Sequence, residues 1–185
     1  MNQIIALVGM CGSGKSVCCE EFKARGWEYV YFGGVTMREL EKRGLERNEA
    51  NERAVREELR RLHGPAAFAI LLIDQIREKL ERANVCLDGL YSWSEWKVLK
   101  EAFGDRLNVV AIIVERKKRY ERIGARAIRP LTPAEAQSRD VAEIEKMEKG
   151  GPIAMADLFI FNDGDLESFK SQTREIIDRA ESGNL

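Results

Sequence analysis

The sequence lacks several features that would assign it to a membrane, secreted or metal-binding class. Nowhere do its 185 residues contain about 18 consecutive apolar side chains, the length that a bilayer-spanning helix needs. It has one histidine, His63, and four cysteines, without the spacing of a metal site or the density of a small disulfide-stapled domain. These absences exclude a membrane span and predict a protein of the reducing cytoplasm.

The sequence also lacks an excess of either charge, since 30 lysines and arginines nearly cancel 31 aspartates and glutamates. The overall electrostatic field therefore favours neither nucleic acid nor an anionic membrane as a partner. Hydrophobic side chains make up 44% of the chain, which is enough for one core, and the length leaves little room for two. We expect a single domain over residues 1–185.

Short apolar runs alternate with helical patterns along the chain. The runs predicted as strands are residues 4–8, 29–32, 85–87, 109–114 and 158–161. The predicted helices are residues 16–25, one or two solvated helices within 37–63, a buried helix starting at Pro65, a stretch at 134–149, and a final amphipathic helix from Leu166. This order predicts a three-layer α/β fold, with a parallel five-stranded sheet, helices on both faces, and ligands beyond the carboxyl ends of the strands.

Two expectations concern the core of these helices. Helical spacing predicts that the buried residues of the fourth and last helical stretches are Phe68, Leu71, Leu72, Ile76 and Leu80, and Leu166, Phe169, Ile176 and Ile177. Residues 125–150 are polar and contain two prolines, so we expect a mobile flap that adds no core residues.

The strongest motif follows the first predicted strand. Residues 9–16 match the pattern G-x-x-x-x-G-K-[ST] at every fixed position, between a predicted strand and a predicted helix. Such a loop turns successive backbone N–H groups toward a polyphosphate at the start of a helix. The predicted nucleotide contacts are Gly9, Met10, Cys11, Gly12, Ser13, Gly14, Lys15, Ser16 and Val17.

Three side chains near this loop carry the expected chemistry. Lys15 would contact the β and γ phosphates, and the hydroxyl of Ser16 would bind Mg²⁺. Asp88 ends the third predicted strand, where a carboxylate orients Mg²⁺ directly or through water, although a helix or turn cap is the alternative role. The sequence therefore predicts ATP and Mg²⁺ as ligands.

Other classes of phosphate-loop protein need motifs that this chain lacks. It has no Asn-Lys-x-Asp and Asp-x-x-Gly pair, which a GTP-binding switch uses, and no Ser-Gly-Gly-Gln signature of transporter ATPases. It is also too short for the extra helical domain of ring-forming ATPases. Small kinases remain as the best match.

The chain resembles the adenylate-kinase-like and dephospho-coenzyme-A-kinase-like phosphate-loop kinases, and in particular an archaeal subfamily of nucleotide-kinase type. The resemblance spans nearly the whole chain, and it rests on residues 8–15, Gly33, residues 87–89, the arginines after the fourth strand, and residues 156–164. It implies a core that binds ATP, an acceptor-binding region at about residues 34–64, and an arginine-bearing lid at about residues 115–140.

The same resemblance supplies the remaining site residues. The candidate catalytic cations of the lid are Arg119, Arg122 and Arg126, with Arg129 as a weaker one. A solvated helix face is the alternative for each of them. Asn162 and Gly164 would lie near the adenine, or would form a plain strand-to-helix turn.

Three positions depart from the pattern of these kinases. The chain has Gly34 in place of an aspartate, Met37 in place of an arginine, and Tyr91 in place of an arginine that binds the acceptor phosphate. A phenol does not replace a bidentate cation. The departures argue against an ordinary nucleoside monophosphate or dephospho-coenzyme A as acceptor, and Tyr91, Trp93 and Trp96 would either stack on a flat group or pack a helix.

The sequence thus favours an ATP-dependent phosphotransferase that acts on a small, nucleotide-like acceptor. Two alternatives stay open: ATP hydrolysis coupled to a conformational cycle, and an ATP-sensing module that docks a protein partner and has no small-molecule acceptor.

Overall fold

A parallel sheet lies at the centre of the fold in a computed structural model that describes residues 1–127 and 130–185. The strands of this part of the chain are β1 (Ile4–Val8), β2 (Glu28–Tyr31), β3 (Val85–Asp88), β4 (Leu107–Ile113) and β5 (Leu158–Phe161). They form one five-stranded sheet in the order β2-β3-β1-β4-β5, with every pair parallel.

Helices make the connections between the strands. They are α1 (Lys15–Ala24), α2 (Gly34–Lys42), α3 (Glu49–His63), α4 (Ala67–Arg82), α5 (Trp93–Phe103), α6 (Arg116–Gly124), α7 (Pro133–Glu145), α8 (Gly150–Ala154) and α9 (Leu166–Glu181). In the described parts of the chain, no helix is both long enough and apolar enough to cross a membrane.

The two faces of the sheet carry separate hydrophobic cores. Every side chain of β1 is fully buried, and successive side chains point to opposite faces. Ile4, Ala6 and Val8 lie in a core that includes residues of α2, α3, α4 and α5, whereas Ile5 and Leu7 pack with α1 and α9. The sheet is therefore a middle layer between two helical layers.

The strand order brings two connections together at the carboxyl ends of the strands. β1 pairs with both β3 and β4, and Leu7 lies opposite Asp88 in the register. The loop after Val8 and the carboxyl end of β3 are therefore neighbours. This is the crevice beyond the strand ends where open parallel sheets bind ligands.

The predicted three-layer α/β architecture is confirmed, and most predicted boundaries differ from the observed ones by one or two residues. The largest strand difference is at β4, which begins at Leu107, two residues before the prediction. The helix predicted to start at Pro65 begins at Ala67. The charged stretch at 37–63 forms parts of two helices; of their apolar residues, Leu40, Val55 and Leu59 are buried, whereas Leu62 is 56% exposed.

The prediction that residues 125–150 add nothing to the core is wrong. Ala136 is 1% exposed and packs with Cys11 and Ile123, and the charged residues Glu143 and Lys149 are buried as well. Hydropathy does not reveal such burial, because the charged side chains pair with each other out of water.

Helical spacing also placed two leucines wrongly in the core. Leu71 is 38% exposed and Leu166 is 58% exposed. Both lie at the margin of an apolar stripe, where spacing alone does not determine how far the neighbouring layer extends.

Two phenylalanines near the end of the chain test this assignment of core and surface. Phe169 on α9 is 2% exposed, whereas Phe161 at the end of β5 is 59% exposed. We expect Phe169→Ala to lower the free energy of unfolding by about 3–5 kcal/mol, because it removes a buried ring and leaves a cavity.

The matched variant Phe161→Ala should change the free energy of unfolding by less than about 1 kcal/mol, because its ring is largely in water. Urea denaturation followed by circular dichroism measures both. Equal losses in the two variants would contradict the packing of α9 against the sheet.

Candidate nucleotide site

The loop between β1 and α1 needs glycine at several positions. Gly9, Gly12 and Gly14 all have positive φ angles, of 148°, 83° and 104°. A Cβ atom at Gly9 would lie 2.7 Å from the carbonyl oxygen of Ile112, and one at Gly14 would lie 2.5 Å from the side-chain nitrogen of Asn162. Both the backbone conformation and the space around the loop therefore require glycine.

Lys15 is the first residue of α1, and its side chain folds back over the loop. Its Nζ donates to the carbonyl oxygens of Gly9 at 2.7 Å and Met10 at 3.2 Å, and to Oγ of Ser13 at 3.4 Å. Burial, with a smaller effect from the nearby charge of Lys149, lowers the pKa of Lys15 to about 8. The ammonium is thus destabilised until an anion joins it.

Asp88 lies beside the loop, and a neighbouring strand orients it. The hydroxyl of Tyr29 on β2 donates to Oδ2 of Asp88 at 2.7 Å. Burial and this hydrogen bond raise the pKa of Tyr29, so the phenol stays protonated as a donor. Ser16 is exposed at the start of α1 and lines the same cavity as Asp88.

Asn162 supports the loop with its side chain. Its Nδ2 donates to the backbone oxygen of Ser13 at 2.8 Å, and Arg122 donates to the backbone oxygen of Asn162 at 2.9 Å. Of the other predicted nucleotide contacts, Gly164 is exposed, and Val17 is half-buried against the core shared by α1 and α9.

Arg119 joins three elements at the loop. Its guanidinium makes two hydrogen bonds to the carboxylate of Asp140 on α7, at 2.9 and 2.7 Å, and a third to the backbone oxygen of Cys11 at 3.1 Å. Arg119 is 6% exposed, so its bidentate pairing is largely out of water. In this arrangement it connects α6 and α7 to the phosphate loop.

The other candidate arginines of the expected lid are Arg126 and Arg129. Arg126 is exposed, and its guanidinium lies 3.8 Å from Sγ of Cys11 at the mouth of the loop. Arg129, the weaker candidate, lies outside the described residues.

The structure adds a charged group that sequence reasoning missed. Glu143 Oε2 accepts from Nζ of Lys149 at 2.8 Å and from the backbone N–H of Cys11 at 3.3 Å. Its other oxygen accepts from Nε of Arg139 at 3.3 Å. Burial opposes ionisation of Glu143, but Lys149 and Arg139 hold its pKa below the usual value.

Lys149 lies in a turn that contains an unusual backbone conformation. Glu148 has a φ of 51°, the left-handed region that side chains rarely occupy, at a cost of about 1–2 kcal/mol. Backbone hydrogen bonds from Glu148 to Ile144 and from Lys149 to Glu143 hold the turn against the end of α7. Gly150 and Gly151 follow, and this glycine pair is a signal in the sequence that indicates a tight turn here.

The loop and several of these groups line a cavity of about 470 Å³, whereas Arg119 and Asn162 contact the loop from outside that lining. Its lining beyond the loop comes from Tyr31, Asp88, Tyr91, Arg122, Arg126, Arg139, Glu143 and Lys149. A larger cavity of about 670 Å³ lies between α6 and the start of α7, but none of the predicted site residues line it. The smaller cavity is the candidate site, because residues of the phosphate loop line it and do not line the larger one.

Of the three positions that depart from the kinase pattern, Tyr91 lines this cavity and the other two do not. Gly34 begins α2, and Met37 packs against the core beneath that helix, so neither supplies a cation. Tyr91 is covered by the ammonium of Lys149, which lies 5.0 Å from its ring centre. Trp93 stacks on Trp96, with ring centres 4.6 Å apart.

Comparison with known proteins places this geometry in a family. A family model described as an AAA domain matches residues 5–149. A UPF0200 protein of Thermococcus onnurineus is 36% identical over 180 residues, covering 95% of this chain and 97% of the relative. A UPF0200 protein of Thermococcus gammatolerans is 34% identical, with coverage of 95% and 94%.

Solved structures share the fold at low identity. TT1252 from Thermus thermophilus superposes with a TM-score of 0.66 at 21% identity, covering 96% of this chain and 97% of that one. Shikimate kinase from Bacteroides thetaiotaomicron gives a TM-score of 0.61 at 16% identity, with coverage of 97% and 98%. The fold is therefore that of the phosphate-loop kinases, and the chain belongs to the UPF0200 family of P-loop NTPases.

Proposed function

We propose that this protein binds ATP with Mg²⁺ and transfers the terminal phosphoryl group to a small, nucleotide-like acceptor. The observation that carries the proposal is the single cavity that joins the phosphate loop, the carboxylate of Asp88 and several cationic side chains. Its volume suits a small-molecule site. The fold shared with a shikimate kinase supports a kinase over a nucleotide switch.

The donor half of the reaction would rest on the loop and Lys15. The positive φ angles of the loop glycines and the start of α1 support binding of a polyphosphate by backbone N–H groups. Lys15 now donates to carbonyl oxygens of the same loop, so a bound phosphate would offer its ammonium a better acceptor.

Ser16 and Asp88 fit a magnesium ion. Both are oxygen donors that line the cavity, and Tyr29 holds Asp88 in place. Mg²⁺ takes few protein oxygens and leaves its other positions to phosphate and water, and when bound it neutralises charge on the phosphates.

Transfer would require alignment and cations more than covalent work by the protein. The hydroxyl oxygen of the acceptor forms a bond to the terminal phosphorus, the bond from that phosphorus to the bridging oxygen breaks, ADP leaves, and the proton of the hydroxyl passes to solvent. Arg122 and Arg126 line the cavity and would stabilise the charge that develops, while Arg119 would hold the loop through Cys11.

Hydrolysis without an acceptor is the main competing outcome. The part of the cavity beyond the loop, bounded by Tyr31, Tyr91 and Lys149, supports an acceptor-binding role. The four cysteines are free and buried, which supports work in a reducing compartment such as the cytoplasm.

Labelled ATP tests the proposal directly. Incubation with Mg²⁺ and a panel of nucleotides, nucleosides and phosphorylated metabolites should move the label to at least one acceptor, detected by chromatography. Release of the label to water alone, with every acceptor tried, would count against a kinase and favour the hydrolase.

Lys15→Met should lower the rate of transfer by about 100-fold or more, because it removes a cation from the charge that develops on the phosphates. The matched control is Lys97→Met, an exposed lysine on α5 outside the cavity, which should leave the rate unchanged. Full turnover by the Lys15 variant would contradict the assigned donor site.

The low pKa of Lys15 predicts a pH-dependent affinity for MgATP. Below pH 8 the side chain of Lys15 is already protonated in the free protein, so the affinity for MgATP should not change with pH. Above its pKa of about 8 the side chain is neutral in the free protein, and binding must take up a proton because phosphate stabilises the charged form. Affinity should therefore fall by up to about tenfold for each pH unit above 8.

Calorimetry near pH 9 in two buffers of different ionisation enthalpy measures this proton uptake. We expect about one proton for the wild-type protein and none for Lys15→Met. Equal uptake in both proteins would assign the titration to another group.

A further inference from the structure

We infer that Lys149 and Arg139 form a subsite for an anionic group on the acceptor, in competition with the carboxylate of Glu143. The inference rests on the proposed function and narrows its substrate class. The acceptor would be a small molecule that carries a hydroxyl group and, elsewhere, a carboxylate or a phosphate monoester.

The first observation is where Lys149 lies. It is 1% exposed, yet it lines the cavity that contains the phosphate loop. Of its three N–H donors, the described residues accept one hydrogen bond, through Glu143. A buried ammonium at the wall of a binding cavity is a group that a ligand anion can reach by replacing its present partner.

The second observation is that closely packed neighbours hold Lys149 in place. Its ammonium lies over the ring of Tyr91, and that ring packs on Gly89, where a Cβ atom would lie 2.8 Å from it. On the other side, a Cβ atom at Gly151 would lie 2.9 Å from Trp93, so α8 is packed closely on the indole. The strained turn at Glu148 also fixes the position of Lys149.

The third observation is the charge of the cavity. Five cationic side chains line it, Lys15, Arg122, Arg126, Arg139 and Lys149, against two carboxylates, Asp88 and Glu143. A triphosphate with one Mg²⁺ carries about two negative charges, fewer than the excess of three that the cations hold. An anionic group on the second substrate would balance the remainder.

Glu143 marks the position of that group. Its carboxylate now contacts Lys149, Arg139 and the backbone N–H of Cys11, which are three donors suited to an anion. Lys149 thereby supplies a cation beside Tyr91, the position where related kinases have an arginine for the acceptor phosphate.

Calorimetry with the phosphate loop already filled tests the subsite. The protein is first saturated with a non-hydrolysable ATP analogue and Mg²⁺, and is then titrated with inorganic phosphate and, separately, with malate. Stronger binding of one probe identifies a phosphate monoester or a carboxylate as the group. Failure of the analogue itself to bind would refute the proposed function, a different result from failure of the probes.

Lys149→Met should weaken probe binding by about 10- to 100-fold, while Lys149→Arg restores most of it. Glu143→Gln should tighten probe binding by about threefold or more, because the competing charge is gone. Lys146→Met, an exposed lysine nearby, is the matched control and should bind as the wild type does.

Because Lys149→Met leaves Glu143 without its buried partner, the double variant Lys149→Met/Glu143→Gln keeps the test interpretable if the single variant unfolds. Affinity for the analogue is measured first in each variant, and the probe titrations are run at an analogue concentration that saturates that variant. The inference is overturned if neither probe binds the analogue-saturated wild type, if removal of Lys149 leaves probe affinity unchanged, or if Glu143→Gln weakens it.

Discussion

The conformation of one backbone loop is the constraint on which the rest of this structure depends. Its glycines adopt positive φ angles without steric cost, and side chains from distant parts of the chain hold the loop in that conformation. Asn162 holds the carbonyl of Ser13, Arg119 holds the carbonyl of Cys11, and Glu143 accepts the N–H of Cys11. The loop is therefore held by elements that follow β4 and β5, which makes these elements part of the candidate nucleotide site.

Electrostatics then divides the cavity into two halves. On one side Lys15, Ser16 and Asp88 form the set expected for a nucleotide with Mg²⁺, and Tyr29 fixes the carboxylate. On the other side Lys149 and Arg139 converge on a single carboxylate, Glu143. Because Lys149 also lowers the pKa of Lys15, after the larger effect of burial, the two halves are coupled: charge bound in one changes the cost of charge in the other.

The fold and the phosphate-loop conformation could be predicted because their signals are local. The strand of β1 and the eight residues after it fit within one short window, and glycine at fixed positions has a clear backbone reason. Glu143 and Lys149 could not be predicted, since the contact between Glu143 and Cys11 spans 132 residues and buried charges read as a solvated segment. The resemblance to small kinases indicated Arg119 as a lid cation, but its pairing with Asp140 depends on how α7 packs.

A crystal structure with a non-hydrolysable ATP analogue and Mg²⁺ tests the central claim most directly. The account predicts a triphosphate bound along the N–H groups of the loop, Lys15 turned from Gly9 O to the phosphates, and the metal on the side of Ser16 and Asp88. A triphosphate bound elsewhere, with Lys15 still hydrogen-bonded to the loop carbonyls, would contradict it.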